Sequence, residues 1–157
     1  MSGGTTGTPK CVPGRHRDLV SSGLQLQRWV AEALPPWEGR FMLPLPMFHS
    51  YGACAAQSVA FIGHNPIVLV PNPRDIDDLL KTINQSRPQA FAGVPTLYNT
   101  MLNRPEVKAG KVDFSSLNVC VSGAAPLMAE TKKRFEAVSG AQIIEGYSLT
   151  ESLIAAT

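Results

Sequence analysis

Hydrophobic positions along this chain follow two alternating patterns, one with the period of a helix and one typical of short strands. The helical pattern is clearest where Ile76, Leu79, Leu80 and Ile83 stand at positions i, i+3, i+4 and i+7. Short apolar runs bounded by turn residues precede such segments and predict strands. The predicted strands are 41–45, 67–70, 89–94, 117–121 and 141–145, and the predicted helices are 19–34, 51–63, 76–83, 95–102 and 127–138.

Three segments allow finer predictions. The helix at 51–63 has no charged residue and is rich in alanine, so we expect it to be buried nearly all round. The last helix should end at Gly140. Its buried face should consist of Leu127, Thr131, Phe135 and Val138. The segment 103–116 combines proline, glycine and several charges, which predicts an exposed loop.

Strand and helix alternate about four times, which is typical of βαβ units with parallel strands. We therefore predict an α/β fold with an open, mainly parallel sheet. Ligands of such sheets lie outside the carboxyl ends of the strands, so the strand-to-helix loops should carry the chemistry. Three of these loops have an unusual composition, and we expect 46–50, 122–126 and 146–151 to line one edge.

Composition narrows the classes of function. The 157 residues carry a net charge of +2, with 44% apolar and 17% charged residues, which fits a globular chain and offers no basic stripe for nucleic acid. Prolines interrupt the longest uncharged run, so no transmembrane segment is predicted. Cys11, Cys54 and Cys120 lack metal-ligand spacing, which favours reduced thiols and a cytoplasmic protein, with peripheral membrane attachment left open. Cys54 and Cys120 are interpreted as small core residues.

The segment 2–10 reads Ser-Gly-Gly-Thr-Thr-Gly-Thr-Pro-Lys and has the chemistry of a phosphate cradle. Glycines allow positive φ, successive N–H groups form an anion-binding concavity, and threonine hydroxyls and Lys10 add donors. It is not the phosphate loop of nucleoside triphosphatases, because Thr8 and Pro9 separate Gly7 from the lysine. A flexible chain terminus is the alternative interpretation.

The other loops are individually ambiguous. Tyr147 offers a flat face, Thr150 a hydroxyl and Glu151 a carboxylate suited to Mg²⁺, but the same residues also make an ordinary helix start. The small residues at 122–126 either admit a planar ring or form a tight turn. His49 either orients a carboxylate or is a structural imidazole.

Taken together, five segments in this order resemble the adenylate-forming superfamily of acyl-CoA synthetases, nonribosomal-peptide adenylation domains and luciferases. The segments are 2–10, 45–52, 93–96, 122–126 and 146–151. The similarity runs over the whole chain and is greatest to fatty-acyl-CoA ligases. The resemblance implies that 1–157 is part of the N-terminal, AMP-binding large domain.

The resemblance implies ATP, a fatty acid, coenzyme A and Mg²⁺ as partners in a two-step reaction through an acyl-adenylate. The implied β- and γ-phosphate contacts are Thr5, Thr6, Gly7 and Lys10. The implied adenine contacts are Gly123, Ala124, Ala125, Gly146 and Tyr147. The implied catalytic residues are Thr150 at the α-phosphate, Glu151 as the Mg²⁺ ligand and His49 at the acyl carboxylate. The uncharged helix at 51–63 is either a wall of an acyl tunnel or a plain buried helix.

The sequence departs from the family pattern at three points. Cys11 follows the loop lysine where the family usually carries glycine, and a Cβ there is expected to disturb the loop. The family's ribose-binding aspartate and its C-terminal domain with a catalytic lysine match no residue of this chain. We therefore expect an enzyme fragment with weak or no activity by itself. The alternative is a non-catalytic module that binds nucleotide, acyl groups or a partner protein.

Overall fold

A computed structural model describes residues 7–152, which fold around a sheet of five parallel strands. The strands are β1 (Phe41–Leu43), β2 (Ile67–Leu69), β3 (Ala90–Gly93), β4 (Val119–Ser122) and β5 (Gln142–Glu145), in the spatial order β2-β1-β3-β4-β5. Every neighbouring pair is parallel. The predicted α/β class with an open parallel sheet is therefore confirmed.

Helices cover both faces of this sheet. They are α1 (His16–Val30), α2 (Gln57–Ile62), α3 (Ile76–Ser86), α4 (Pro95–Asn103), α5 (Pro105–Lys108) and α6 (Ala129–Ser139). A π-helix, Tyr51–Ala56, leads directly into α2, and a 3₁₀ turn, Thr150–Ser152, follows β5. Helices α1 and α2 lie on one face, and α3 to α6 on the other. No helix within residues 7–152 is long and apolar enough to cross a bilayer.

The two faces of the sheet differ in the size of their side chains. The larger core lies toward α3–α6. At its centre is a series of edge-to-face ring contacts among Phe91, Tyr98, Phe135 and Phe114. Toward α1 and α2, the central strand β3 presents only Ala90 and Ala92. Because strand side chains alternate between faces, a short run of alternating small and large residues leaves space on one side only.

The connections diverge between β1 and β3. The chain leaves β1 toward α2 on one face, whereas it leaves the neighbouring β3 toward α4 on the other. Such a switch point opens a crevice outside the carboxyl ends of the strands. The loops that follow β1, β4 and β5 all end at this edge.

Most predicted elements are present with shorter bounds, but three predictions are wrong in detail. The segment at 51–63 is not buried all round, because Phe61 is 60% exposed and only one side packs on the sheet. The segment 103–116 is not simply an exposed loop. It contains α5, and Val107 and Phe114 are buried in the larger core.

The predicted face of the last helix is also wrong in part. Val138 is 48% exposed, and the buried Leu127 precedes α6. Ser139 takes an inward position, where its hydroxyl donates to the Phe135 carbonyl at 2.7 Å. Gly140 does end the helix, with φ 73°.

Candidate functional site

Three loops meet at the carboxyl edge of the sheet, as the sequence predicts. The Gly146 N–H donates to the Ser122 carbonyl at 2.8 Å, which joins the loops after β5 and β4. The hydroxyls of Ser50 and Thr150 lie 3.5 Å apart and join the loops after β1 and β5. Residues distant in sequence therefore form one continuous surface.

An apolar cleft with a cavity volume of about 80 Å³ opens beside these loops. Its floor is the sheet face with small side chains, including Ala92, and its walls come from the π-helix and α1. Trp29 of α1, half exposed, and Tyr147 both line the cleft. The contribution of α1 to the cleft was not predicted from the sequence, because the spacing of apolar residues in an amphipathic helix does not indicate which surface they contact.

His49 lies exposed in the loop after β1. Its Nδ1 accepts a hydrogen bond from the Tyr51 backbone N–H at 3.1 Å. An accepting Nδ1 carries no proton, so the neutral ring bears its proton on Nε2. The local backbone thus gives His49 one free donor on Nε2.

The loop after β4 combines small residues with an unusual backbone. Gly123 is buried, whereas Ala124 and Ala125 are exposed. Ala124 has φ 69°, a left-handed conformation that costs a residue with a Cβ roughly 1–2 kcal/mol. Tyr147, 65% exposed, lies with Gly146 on the same cleft. The arrangement leaves a flat aromatic face next to a backbone that carries little side-chain bulk.

Thr150 and Glu151 belong to the 3₁₀ turn that follows this loop. Thr150 is partly buried against Ser50, and Glu151 is exposed. Residues 7–152 contain no group of three or more potential metal-binding side chains. Glu151 alone still fits Mg²⁺, since this ion is commonly held by one or two carboxylates together with substrate phosphates and water.

The described part of the predicted phosphate loop begins at Gly7, which has φ 99° as expected for a glycine-dependent turn. Lys10 is exposed. Cys11 is exposed and is not among the described non-glycine residues with positive φ, so its backbone conformation does not require glycine. Thr5 and Thr6 lie outside the described residues.

Two curated relatives match almost the whole of this chain. A long-chain-fatty-acid–CoA ligase of Bacillus subtilis (strain 168) is 34% identical over 151 residues, covering 96% of this chain and 26% of the ligase. The Haemophilus influenzae ligase of the same name is 34% identical over 154 residues, covering 96% and 27%. This chain thus spans about a quarter of the length of these curated relatives.

Two solved structures also match almost the whole of this chain. The anthranilate CoA ligase AuaEII, in complex with anthranoyl-AMP, matches with a TM-score of 0.81 and 29% identity, over 97% of this chain and 29% of that one. The inhibitor-bound N-terminal domain of FACL13 from Mycobacterium tuberculosis matches with a TM-score of 0.78 and 27% identity, over 97% and 36%. The family model described as AMP-binding enzyme matches residues 1–157. The chain therefore belongs to the AMP-binding enzyme family of adenylate-forming proteins.

Proposed function

We propose that this chain forms the nucleotide- and acyl-binding part of an AMP-forming fatty-acyl-CoA ligase. The observation that carries the proposal is the convergence of three loops with complementary chemistry beside one apolar cleft. The similarity to long-chain-fatty-acid–CoA ligases favours a fatty acid as the acid substrate. Residues 1–157 are then part of an N-terminal AMP-binding domain. The catalytic lysine of the family's C-terminal domain matches none of these residues.

The proposed reaction has two steps. A carboxylate oxygen attacks the α-phosphorus of ATP, and pyrophosphate leaves. The thiol of coenzyme A then attacks the acyl carbon, and AMP leaves. Neither step needs a protein nucleophile, so the protein contributes positioning and neutralisation of negative charge.

The acyl group is assigned to the cleft. Its lining is mainly apolar, which suits an alkyl chain. The free Nε2–H of His49 is suited to donate to the carboxylate oxygen at the polar end of the chain. This places the reacting carboxylate at the edge of the sheet.

The nucleotide is assigned to the loops after β4 and β5. Tyr147 stacks on the adenine, and the small side chains of Gly123, Ala124, Ala125 and Gly146 allow the ring to approach the backbone. The hydroxyl of Thr150 contacts the α-phosphate, and Glu151 binds Mg²⁺, which would neutralise phosphate charge. Gly7 and Lys10, with Thr5 and Thr6, hold the β- and γ-phosphates. The AuaEII complex with anthranoyl-AMP supports a shared location for acyl and adenylate groups.

Binding of a stable acyl-adenylate mimic tests this proposal. We expect palmitoyl-sulfamoyl adenosine to bind the 157-residue chain, as measured by isothermal titration calorimetry. Removing the donor in His49→Ala should weaken binding about fivefold, which corresponds to the loss of one neutral hydrogen bond. The matched control is His64→Ala, since His64 is also exposed but stacks on Trp37 outside the cleft.

Isotope exchange between pyrophosphate and ATP separates an enzyme from a binding module. Slow exchange that requires palmitate favours the ligase. Mg²⁺-dependent ATP binding without exchange favours a non-catalytic module on the same scaffold. A chain that binds neither ATP nor the mimic contradicts the proposed function.

A further inference from the structure

Tyr51 links the ends of two strands through its side-chain hydroxyl. The oxygen lies 2.9 Å from the Val121 carbonyl oxygen of β4 and 3.2 Å from the Gly93 carbonyl oxygen of β3. The hydroxyl has one proton to donate, so the two carbonyl groups share it. Burial raises the pKa of Tyr51, which keeps this proton in place at neutral pH.

The same residue contacts two of the site loops. Its backbone N–H donates to Nδ1 of His49 at 3.1 Å. Its ring lies against Gly123, where an added Cβ would be only 3.0 Å from Cε1 and 3.2 Å from Cζ. Tyr51 therefore lies between the residue assigned to the acyl carboxylate and the loop assigned to the adenine.

A second tyrosine provides a natural comparison. The Tyr98 hydroxyl donates to the same Val121 carbonyl oxygen at 2.8 Å, but from the opposite layer. The Tyr98 ring packs edge-to-face on Phe91 and Phe135 within the larger core. The two tyrosines thus lose an equivalent hydrogen bond when the hydroxyl is removed, yet only Tyr51 contacts His49 and Gly123 in the described structure.

We propose that Tyr51 is a positioning residue that fixes the His49 loop relative to the Gly123–Ala125 loop, by holding both against the ends of β3 and β4. The inference rests on the proposed function, because it concerns how the acyl and adenylate halves of one ligand are held together. Tyr51 itself need not touch the reacting atoms. Its hydroxyl sets the distance between the two half-sites.

The experiment compares Tyr51→Phe with Tyr98→Phe for three ligands: AMP, palmitate and palmitoyl-sulfamoyl adenosine. If Tyr51 couples the half-sites, its variant should bind the mimic about tenfold more weakly while AMP and palmitate change less than threefold. Tyr98→Phe should lower the free energy of unfolding and leave the relative affinities for the three ligands unchanged. Equal weakening for all three ligands in Tyr51→Phe, or the same pattern in Tyr98→Phe, would overturn the inference.

A ligand-free measurement separates this inference from the proposed function. Nitrogen-15 chemical shifts report which ring nitrogen of His49 carries the proton, and the Nε2–H form should predominate in the unchanged chain. Tyr51→Phe retains the backbone N–H that donates to Nδ1, so it should reduce that preference only by displacing the His49 loop, whereas Tyr98→Phe should keep it, with His16 and His64 as internal references. An unchanged His49 preference in Tyr51→Phe contradicts the positioning role. A response at His49 in a chain that binds none of the ligands leaves the positioning role standing and overturns the proposed function.

Discussion

Single residues at the site owe their chemistry to contacts that the sequence does not display. His49 and Gly123 could be selected as candidates from loop composition. Which ring nitrogen of His49 carries the proton, however, depends on a backbone N–H two residues away. The Tyr51 hydroxyl meets carbonyl groups 42 and 70 residues later in the chain. Such contacts depend on the packing of whole layers, so periodicity and composition could not predict them.

The three cysteines differ in reactivity according to their burial. Cys11 is exposed, Cys54 is partly buried and Cys120 is fully buried in the larger core, so the predicted core position is confirmed for Cys120 and only in part for Cys54. Burial raises the pKa of both Cys54 and Cys120, which lowers their thiolate fraction at neutral pH. We expect Ellman's reagent to modify Cys11 first, Cys54 more slowly and Cys120 only after unfolding. Loss of the fast phase in Cys11→Ser would verify the assignment, and rapid modification of Cys120 in the folded chain would contradict it.

Among the elements, α3 was the easiest to predict. Its apolar residues keep helical spacing, and Asp75 caps it by accepting from the Asp78 N–H at 3.1 Å. The π-helix at Tyr51–Ala56 could not be predicted, because an alanine-rich uncharged segment does not distinguish hydrogen bonds to the fourth residue from those to the fifth. Its location next to His49 makes this the element whose geometry matters most for the site.

Gly52 shows how closely the π-helix approaches the loop after β1. An added Cβ would lie 2.4 Å from the Pro46 carbonyl oxygen, and a backbone atom can move aside only by displacing the loop. We expect Gly52→Ala to lower the free energy of unfolding by about 1–3 kcal/mol, measured by urea denaturation. Gly146→Ala is the control, because its φ is not positive and its added Cβ would lie 3.9 Å from the nearest side-chain atom, an ordinary van der Waals contact. Equal losses in the two variants would contradict the steric explanation.

At the scale of the whole molecule, the class of fold could be predicted from the sequence, but the order of the strands in the sheet could not. Alternating strands and helices were sufficient to predict a parallel sheet, since parallel strands need crossover connections. The order β2-β1-β3-β4-β5 was not predictable from the short apolar strands, because their order depends on which faces the connecting helices cover. The switch point between β1 and β3, and with it the location of the cleft, follows from that order.

The larger core should determine the stability of the whole molecule. Phe135 is fully buried and contacts the rings of both Tyr98 and Phe114. Phe135→Ala should therefore cost about 3–5 kcal/mol in unfolding free energy, as expected for a large cavity. Val138→Ala on the exposed side of α6 should change it by less than about 0.5 kcal/mol, which chemical denaturation can verify. Similar effects at the two positions would show that this aromatic core is not the main source of stability.

The alanines that β3 presents toward α1 also affect how the molecule fluctuates. Few large side chains connect α1 to the centre of the sheet, whereas interlocking aromatic rings connect α4 and α6 to its other face. Separating α1 from the sheet therefore exposes less apolar surface than separating α4 or α6, and local opening has the lower free energy on the side of the cleft. Motion of α1 away from the sheet, and not deformation of the sheet, is then the expected way in which the cleft widens.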